Sequence, residues 1–143
     1  MFDILHDLPI KAPPARVFEF FSTPQGLDQW WTLRSKGTAR LGEEYELWFG
    51  AEFDWRARVT ACVPDVEFEL EMTRAMDDWM GTRVGVSLKP TGSGTEVSFR
   101  HSGWAEVTPH FRTSSCCWAM YLRILRRHIE HGEVVPYEGR LEV

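Results

Sequence analysis

Hydrophobic and polar positions divide the chain into a first strand, a helical stretch, a strand-rich middle and a long last helix. Apolar residues alternate from Phe2 to Ile10, which is the period of a strand with one buried face, and His6 lies on that face. Pro13 and Pro14 end the strand, and Pro14 suits the first position of a helix. The whole pattern predicts one antiparallel sheet with a face covered by helices.

Two short helices are predicted after the first strand. The first carries an apolar stripe from Val17 to Phe21 and ends before Pro24. The second runs from about Pro24 to Trp31 and brings Trp30 and Trp31 together. We expect these helices to close one end of the sheet.

The middle of the chain has the alternation of strands joined by tight turns. A hairpin is predicted between residues 38 and 49 with its turn around residues 42–44, and a cleaner one follows from Phe53 with a turn at residues 64–65. The second turn predicts three cross-strand pairs: Val59 with Leu70, Ala57 with Met72, and Arg58 with Glu71. Apolar residues then share one face, and charged residues form the solvent face.

A last hairpin and a long helix complete the pattern. A turn at residues 92–93 predicts three more pairs: Leu88 with Val97, Val86 with Phe99, and Val84 with an inward-facing His101. Thr108 is the expected N-cap of the helix, and Gly132 the expected left-handed C-cap. The helix presents a broad stripe to the sheet: Ser114, Cys117, Trp118, Tyr121, Leu122, Leu125 and Ile129. Residues 133–143 are expected to form a short tail over the surface or beside a sheet edge.

Length and composition predict a single domain over residues 1–143, because 143 residues that are 43% hydrophobic suffice for one core. The net charge of −5, without a run of Lys or Arg, argues against nucleic acid as a partner. No stretch has the apolar length of a membrane span or the pattern of a signal peptide, so a soluble cytoplasmic protein is expected. Cys62, Cys116 and Cys117 lack metal spacing and are expected to be free thiols.

Two segments resemble a known family. They are IKAPPARVFEFFSTPQGLDQWWT and HSGWAEVTPHFRTSSCCWAMYLRILRRHIEHGE. The distinctive positions are Pro14, Val17, Pro24, Leu27, Trp30 and Trp31, then Gly103 and Trp104 ahead of Trp118, Tyr121 and Leu122. These positions are similar to the START-like (SRPBCC) superfamily, and within it to the stand-alone bacterial proteins resembling the activator of the 90-kDa heat-shock protein ATPase.

This resemblance implies a fold and a site without choosing an activity. The implied fold is α+β, a helix-grip (START-like or Bet v 1-like) fold in which a curved seven-stranded antiparallel sheet grips the C-terminal helix over a cavity. Members of the superfamily bind apolar small molecules, catalyse cyclisation or hydrolysis, or act as cochaperones, and fold analogy does not decide among them. The eukaryotic cochaperone makes much of its chaperone contact through an additional N-terminal domain that has no counterpart here, so chaperone activation is not favoured.

The expected ligand site is the hollow between sheet and helix. Its candidate residues share the predicted inner face: Trp30, Trp31, Phe53, Trp55, Met72, Arg74, Phe99, His101, Trp118, Tyr121, Leu122 and Leu125. Aromatic rings beside polar groups are typical of ligand clefts, although rings at these spacings also form ordinary cores. His101 either orients a ligand or is a satisfied core residue, and Arg74 either binds an anion at the mouth or stacks on Trp55.

Three classes of function stay open at this point. The first is binding of a small hydrophobic or amphipathic ligand in a cavity of several hundred cubic ångströms. The second is an enzyme of the cyclase, dehydratase or hydrolase type, in which His101 or a carboxylate moves a proton and the other catalytic residues are unknown. The third is protein interaction, through a chaperone contact or a homodimer built on the tail and the loop at residues 75–81, which is also a candidate lid.

No cofactor is expected, because the chain has no glycine-rich phosphate loop and no nucleophile elbow. No metal is expected either. His6 and His101 are predicted to lie close together on neighbouring strands, but spacing supplies no third ligand.

Overall fold

The computed structural model describes residues 1–143 and contains seven strands, three helices and two short 3₁₀ turns. The strands are β1 Phe2–Ile10, β2 Arg34–Lys36, β3 Glu44–Trp48, β4 Asp54–Val63, β5 Glu67–Arg74, β6 Arg83–Thr91 and β7 Gly94–Trp104. The helices are α1 Pro14–Ser22, α2 Pro24–Leu27 and α3 Pro109–His131, and the 3₁₀ turns are Asp77–Trp79 and Tyr137–Glu142. The strands form one curved antiparallel sheet in the order β1-β7-β6-β5-β4-β3-β2, which confirms the helix-grip fold.

The predicted register is confirmed in both hairpins. Val59 lies opposite Leu70 and Ala57 opposite Met72. The last hairpin pairs Leu88 with Val97, Val86 with Phe99, and Val84 with His101. Register is strongly specified here because a shift of one residue would turn every apolar side chain of a strand to solvent.

The outer face of the sheet carries the charged rows. Arg58 donates to Glu71 over 2.8 Å, as its predicted pairing requires. Arg100 reaches both Glu67 and Glu69, at 2.9 and 3.0 Å. These ion pairs occupy the solvent side, so the apolar residues of the same strands are left to face α3.

Helix α3 packs its apolar stripe against the inner face of the sheet. Its first turn is capped by Thr108, whose hydroxyl accepts from the backbone N–H of Phe111 over 3.1 Å. It ends at Gly132, whose φ of +67° is the left-handed conformation that glycine adopts without strain. Trp118, Leu122 and Leu125 are fully buried in the core. No helix is long and apolar enough to cross a membrane.

Two boundaries differ from the sequence-based prediction. The hairpin assigned to residues 38–49 begins earlier, because its first strand is β2, and residues 37–43 form the connection with Gly42 at φ +86°. Regular helix α2 ends at Leu27, and hydrogen-bonded turns continue to Trp31, whose backbone N–H donates to Leu27 over 2.9 Å. The two tryptophans still reach the expected place in the core.

Arg74 does not lie beside Trp55, and this prediction was wrong. A bulge between the Arg56 and Ala57 pairings makes Arg74 face Arg56, because one extra residue of β5 is left without an opposite partner. The side chain is 64% exposed and lies 3.7 Å from Asp54. The bulge therefore turns Arg74 away from the inner face.

Candidate ligand-binding site

A cavity of about 230 Å³ lies between one end of the sheet, α3, the loop at residues 75–81 and the C-terminal tail. Its lining is mostly aromatic: Trp31, Phe49, Phe53, Trp55, Met76, Trp79, His110, Thr113, Ser114, Cys117, Trp118, Tyr121 and Tyr137. Phe53 and Met76 are 42% and 47% exposed, so they mark the side that opens to solvent. The lining contains neither Lys nor Arg.

Trp79 forms the wall between this cavity and the core. Its side chain is only 6% exposed, although it belongs to the loop at residues 75–81 that the sequence suggested as a lid or dimer contact. Its ring stacks on Trp118 with centroids 6.0 Å apart, and its Nε1–H donates to the Ser114 hydroxyl over 3.3 Å. Met76 and Met80 stay half-exposed on either side. The loop is thus anchored by one aromatic residue inserted into the core.

Asp78 ties the same loop to the start of α3. Its carboxylate accepts from the Thr108 hydroxyl over 3.2 Å and lies 2.9 Å from Nδ1 of His110. Thr108 is at the same time the N-cap of α3, so the cap, the loop and one cavity residue are joined in a single cluster. These contacts hold the rim of the cavity in place.

His101 lies beneath Trp79 and is fully hydrogen-bonded within the protein. Trp118 Nε1–H donates to His101 Nδ1 over 3.0 Å, which makes Nδ1 the acceptor and places the ring proton on Nε2. The Nε2–H then donates to Thr82 Oγ1 over 2.8 Å, and the Thr82 hydroxyl donates to the carbonyl of Trp79 over 2.6 Å. Both nitrogens of His101 have partners, and the residue has no exposed surface.

Burial keeps His101 uncharged. Desolvation, followed by repulsion from a charged His110, lowers the pKa of His101 to about 3 from its ordinary value of 6.5. The hydrogen-bond chain has no place for a second ring proton, because Nδ1 already accepts from Trp118. His101 therefore has the properties of a structural group at neutral pH.

The structure separates the twelve residues predicted for the site into three groups. Five line the cavity: Trp31, Phe53, Trp55, Trp118 and Tyr121. Six lie in the packed core beside it: Trp30, Met72, Phe99, His101, Leu122 and Leu125. Arg74 is on the exposed edge, as described above. The inner-face pattern thus identified the correct side of the sheet without distinguishing cavity from core.

Several lining residues could not be identified as site residues from periodicity. Phe49, Met76 and Trp79 come from loops, where no repeat pattern shows which side chains turn inward. His110 and Thr113 lie on the first turns of α3, ahead of most of the apolar stripe. Ser114 and Cys117 belong to the predicted stripe, and only the shape of the fold shows that they face empty space.

The C-terminal tail covers one side of the cavity through a buried arginine. Arg140, 4% exposed, donates to the carbonyls of Asp28, Thr32 and Val135 over 2.7 to 3.2 Å. This anchor holds Tyr137 over the lining. The tail thus covers the surface, which is one of the two arrangements expected.

The remaining polar candidates lie outside the cavity. His6 Nε2 is 3.1 Å from the carbonyl of Ser115, and His6 shares no hydrogen-bond partner with His101. The three cysteines are free thiols, and Cys116 is exposed. No group of three or more His, Cys, Asp or Glu side chains is placed to hold a metal ion.

The fold and the site define a class of protein: those in which an antiparallel sheet grips a long helix over an apolar cavity. Residues 11–130 match the family of Activator of Hsp90 ATPase homolog 1-like proteins, and the chain belongs to this family. No curated protein matches the chain significantly.

Solved structures with the same fold include a dimeric relative. The Aha1 dimer from Colwellia psychrerythraea has 29% sequence identity and a TM-score of 0.84, over 93% of this chain and 99% of that one. Protein MLL2253 from Mesorhizobium loti has 16% identity and a TM-score of 0.80, over 93% and 100%. DynU16, of the dynemicin biosynthetic locus, has 17% identity and a TM-score of 0.76, over 94% of this chain and 50% of that one. The last two share the fold alone.

Proposed function

We propose that this protein binds a small, mostly apolar molecule in the cavity between sheet, loop and α3. The observation that carries the proposal is the aromatic lining, which combines apolar walls with a few polar groups. Proteins of this fold commonly bind ligands. The closed hydrogen bonding of His101 supports binding over an acid–base role for that residue, because neither of its nitrogens is free.

The volume limits the size of the ligand. A cavity of about 230 Å³ is smaller than the roughly 300 Å³ at which sites for drug-sized molecules begin. It is larger than the roughly 150 Å³ apolar cavity that accommodates benzene. We therefore expect a ligand with one or two rings, or a short chain, instead of a sterol or a full-length lipid.

Native mass spectrometry of the purified protein is the first test. A reproducible excess over the denatured mass would support the proposal and give the mass of the ligand. The same spectrum reports whether the chain forms a homodimer, which we propose by analogy with the dimeric relative from Colwellia psychrerythraea. A monomer over the whole concentration range would contradict the dimer without affecting the ligand proposal.

A direct titration uses an uncharged two-ring probe, 2-methoxynaphthalene. It compares the wild type with variants at two adjacent cysteines. Cys117 lines the cavity, whereas Cys116 next to it on α3 is exposed. Cys117→Phe should fill the cavity and weaken binding at least about tenfold, which corresponds to about 1.4 kcal/mol. Cys116→Phe adds the same ring outside the cavity and should leave binding unchanged.

Calorimetric titration of the wild type and both variants decides the outcome. Absence of binding to the wild type, together with no extra mass in the native spectrum, would overturn the proposal. Equal affinity in the wild type and in Cys117→Phe would place the probe elsewhere on the protein and would also count against this cavity.

A further inference from the structure

One polar corner of the cavity is formed by His110 and Ser114, with Asp78 hydrogen-bonded behind His110. His110 Nδ1 lies 2.9 and 3.1 Å from the two oxygens of the Asp78 carboxylate. An ionised carboxylate only accepts hydrogen bonds, so Nδ1 carries the proton. In the neutral ring Nε2 is then an acceptor, and no protein group hydrogen-bonds to it.

His110 is held by contacts on one ring face and on its Nδ1 edge. One face of its ring stacks on Trp79, with centroids 5.9 Å apart and planes 24° apart. Its Nδ1 edge is occupied by Asp78, which is itself fixed by Thr108. His110 lines the cavity, and Nε2 is the ring nitrogen that no protein group occupies.

Ser114 places a donor next to this acceptor. It follows His110 by four residues on α3, so the two side chains lie on the same face one turn apart. Ser114 is buried, and its oxygen accepts from Trp79 Nε1 over 3.3 Å. Its own O–H donates to no protein atom. One free acceptor and one free donor thus lie side by side in the apolar cavity.

This pairing favours a neutral hydroxyl over an anion. A carboxylate or phosphate would lose its hydration without meeting Lys or Arg, and the Asp78 charge would repel it. A hydroxyl donates one hydrogen bond and accepts others, so it satisfies both free groups at once.

We propose that the polar corner binds the hydroxyl of a small phenol or aryl alcohol, with His110 Nε2 as acceptor and Ser114 Oγ–H as donor. The inference rests on the proposed function and adds the chemical class of the ligand. Asp78 is a positioning residue, because it holds the tautomer of His110 in which Nε2 accepts.

The test compares 2-naphthol with 2-methoxynaphthalene by calorimetric titration at one slightly alkaline pH. The two probes share a ring system and an oxygen atom, but only 2-naphthol can donate. One hydrogen bond to His110 should make the wild type bind 2-naphthol about five- to tenfold more tightly. The wild-type comparison needs no variant and so does not depend on the folding of one.

Variants then assign the preference to the polar corner. His110→Phe keeps a ring for stacking on Trp79 and removes the acceptor, so the preference should disappear. Asp78→Asn should reduce it, because a neutral amide no longer favours the Nδ1–H tautomer. His131→Gln changes an exposed histidine at the far end of α3 and should leave the preference intact.

The possible outcomes distinguish the hydroxyl site from the proposed function and from the role of His110. Equal binding of the two probes by the wild type would overturn the hydroxyl site and leave the proposed function standing, whereas binding of neither would contradict the proposed function itself. Tighter binding of 2-naphthoate than of 2-naphthol would overturn the neutral-ligand inference in favour of a charged His110. A preference that survives His110→Phe would place the recognised hydroxyl elsewhere.

Discussion

The closed cluster around His101, formed with Thr82 and Trp118, and the open cavity beside it are both built from aromatic and small polar residues. The cluster is fully packed, whereas the cavity keeps empty space. In the closed cluster both nitrogens of His101 are hydrogen-bonded and the side chain has no exposed surface. In the cavity His110 has one partnered nitrogen, and Phe53 is half-exposed. Abundant aromatic residues therefore do not identify a site. Remaining volume bordered by polar atoms does.

Trp118 separates the two regions and takes part in both. Its indole N–H donates to His101, and its ring lines the cavity. Trp30 and Phe99 pack on it at centroid distances of 6.4 and 4.7 Å. The same side chain thus completes the closed cluster and forms a wall of the cavity.

Replacing this shared residue should give the largest effect. Trp118→Ala removes a buried ring and leaves Nδ1 of His101 without its donor, so the free energy of unfolding should fall by about 3–5 kcal/mol. Phe53→Ala, at the cavity mouth, should cost less than about 1 kcal/mol, because much of its ring is already in water. Denaturant titration measures both. Similar losses would remove the distinction between a closed and an open region.

Acid should destabilise the protein through the closed cluster. The pKa of His101 is about 3 in the folded state and 6.5 ordinarily. Between these two pH values the unfolded chain binds a proton at His101 that the folded protein does not bind. The stability that the neutral, buried His101 contributes is fully present above its ordinary pKa and is lost as the pH falls below it. We expect a loss of about 2 kcal/mol between pH 6.5 and about 4.5 from this residue.

The measurement is the free energy of unfolding against pH for the wild type and two variants. His101→Gln should lower stability near neutral pH and flatten the profile over this range, because Gln does not titrate. His131→Gln, on the exposed end of α3, should keep the slope of the wild type. An unchanged slope in His101→Gln would show that other groups cause the acid sensitivity.

A smaller effect is expected on the open side, where the tail covers the cavity. Arg140→Ala removes hydrogen bonds to three backbone carbonyls and should cost about 1.5 kcal/mol. Arg123→Ala, exposed on α3, should be nearly neutral. Hydrogen exchange of the tail residues should rise in Arg140→Ala alone. A tail that stays protected in this variant would contradict the anchoring role of Arg140.

Local rules predicted the parts of the fold that depend on neighbours in the chain. The turn at residues 92–93 pairs Thr91 with Gly94 and brings Val86 opposite Phe99, because a tight hairpin leaves little freedom of register. Thr108 and Gly132 predicted both ends of α3 because capping depends on a few adjacent backbone groups. Between β4 and β5 the predicted register failed at two places, next to the turn, where Val63 pairs with Glu67, and at Arg74. A bulge accompanies each failure, and no sequence signal indicated the extra residues.

The sequence by itself therefore determined the fold class, the two long hairpins, the caps of α3 and the inward direction of His101, since hydrophobic period and turn chemistry act over a few residues. Only the tertiary structure decided which aromatic residues fill the core and which line the cavity. It placed Trp79 beside Ser114, Asp78 beside His110, and Arg140 beside the carbonyl of Asp28. These contacts join residues 32 to 112 positions apart, and their geometry depends on how the whole sheet curves around α3.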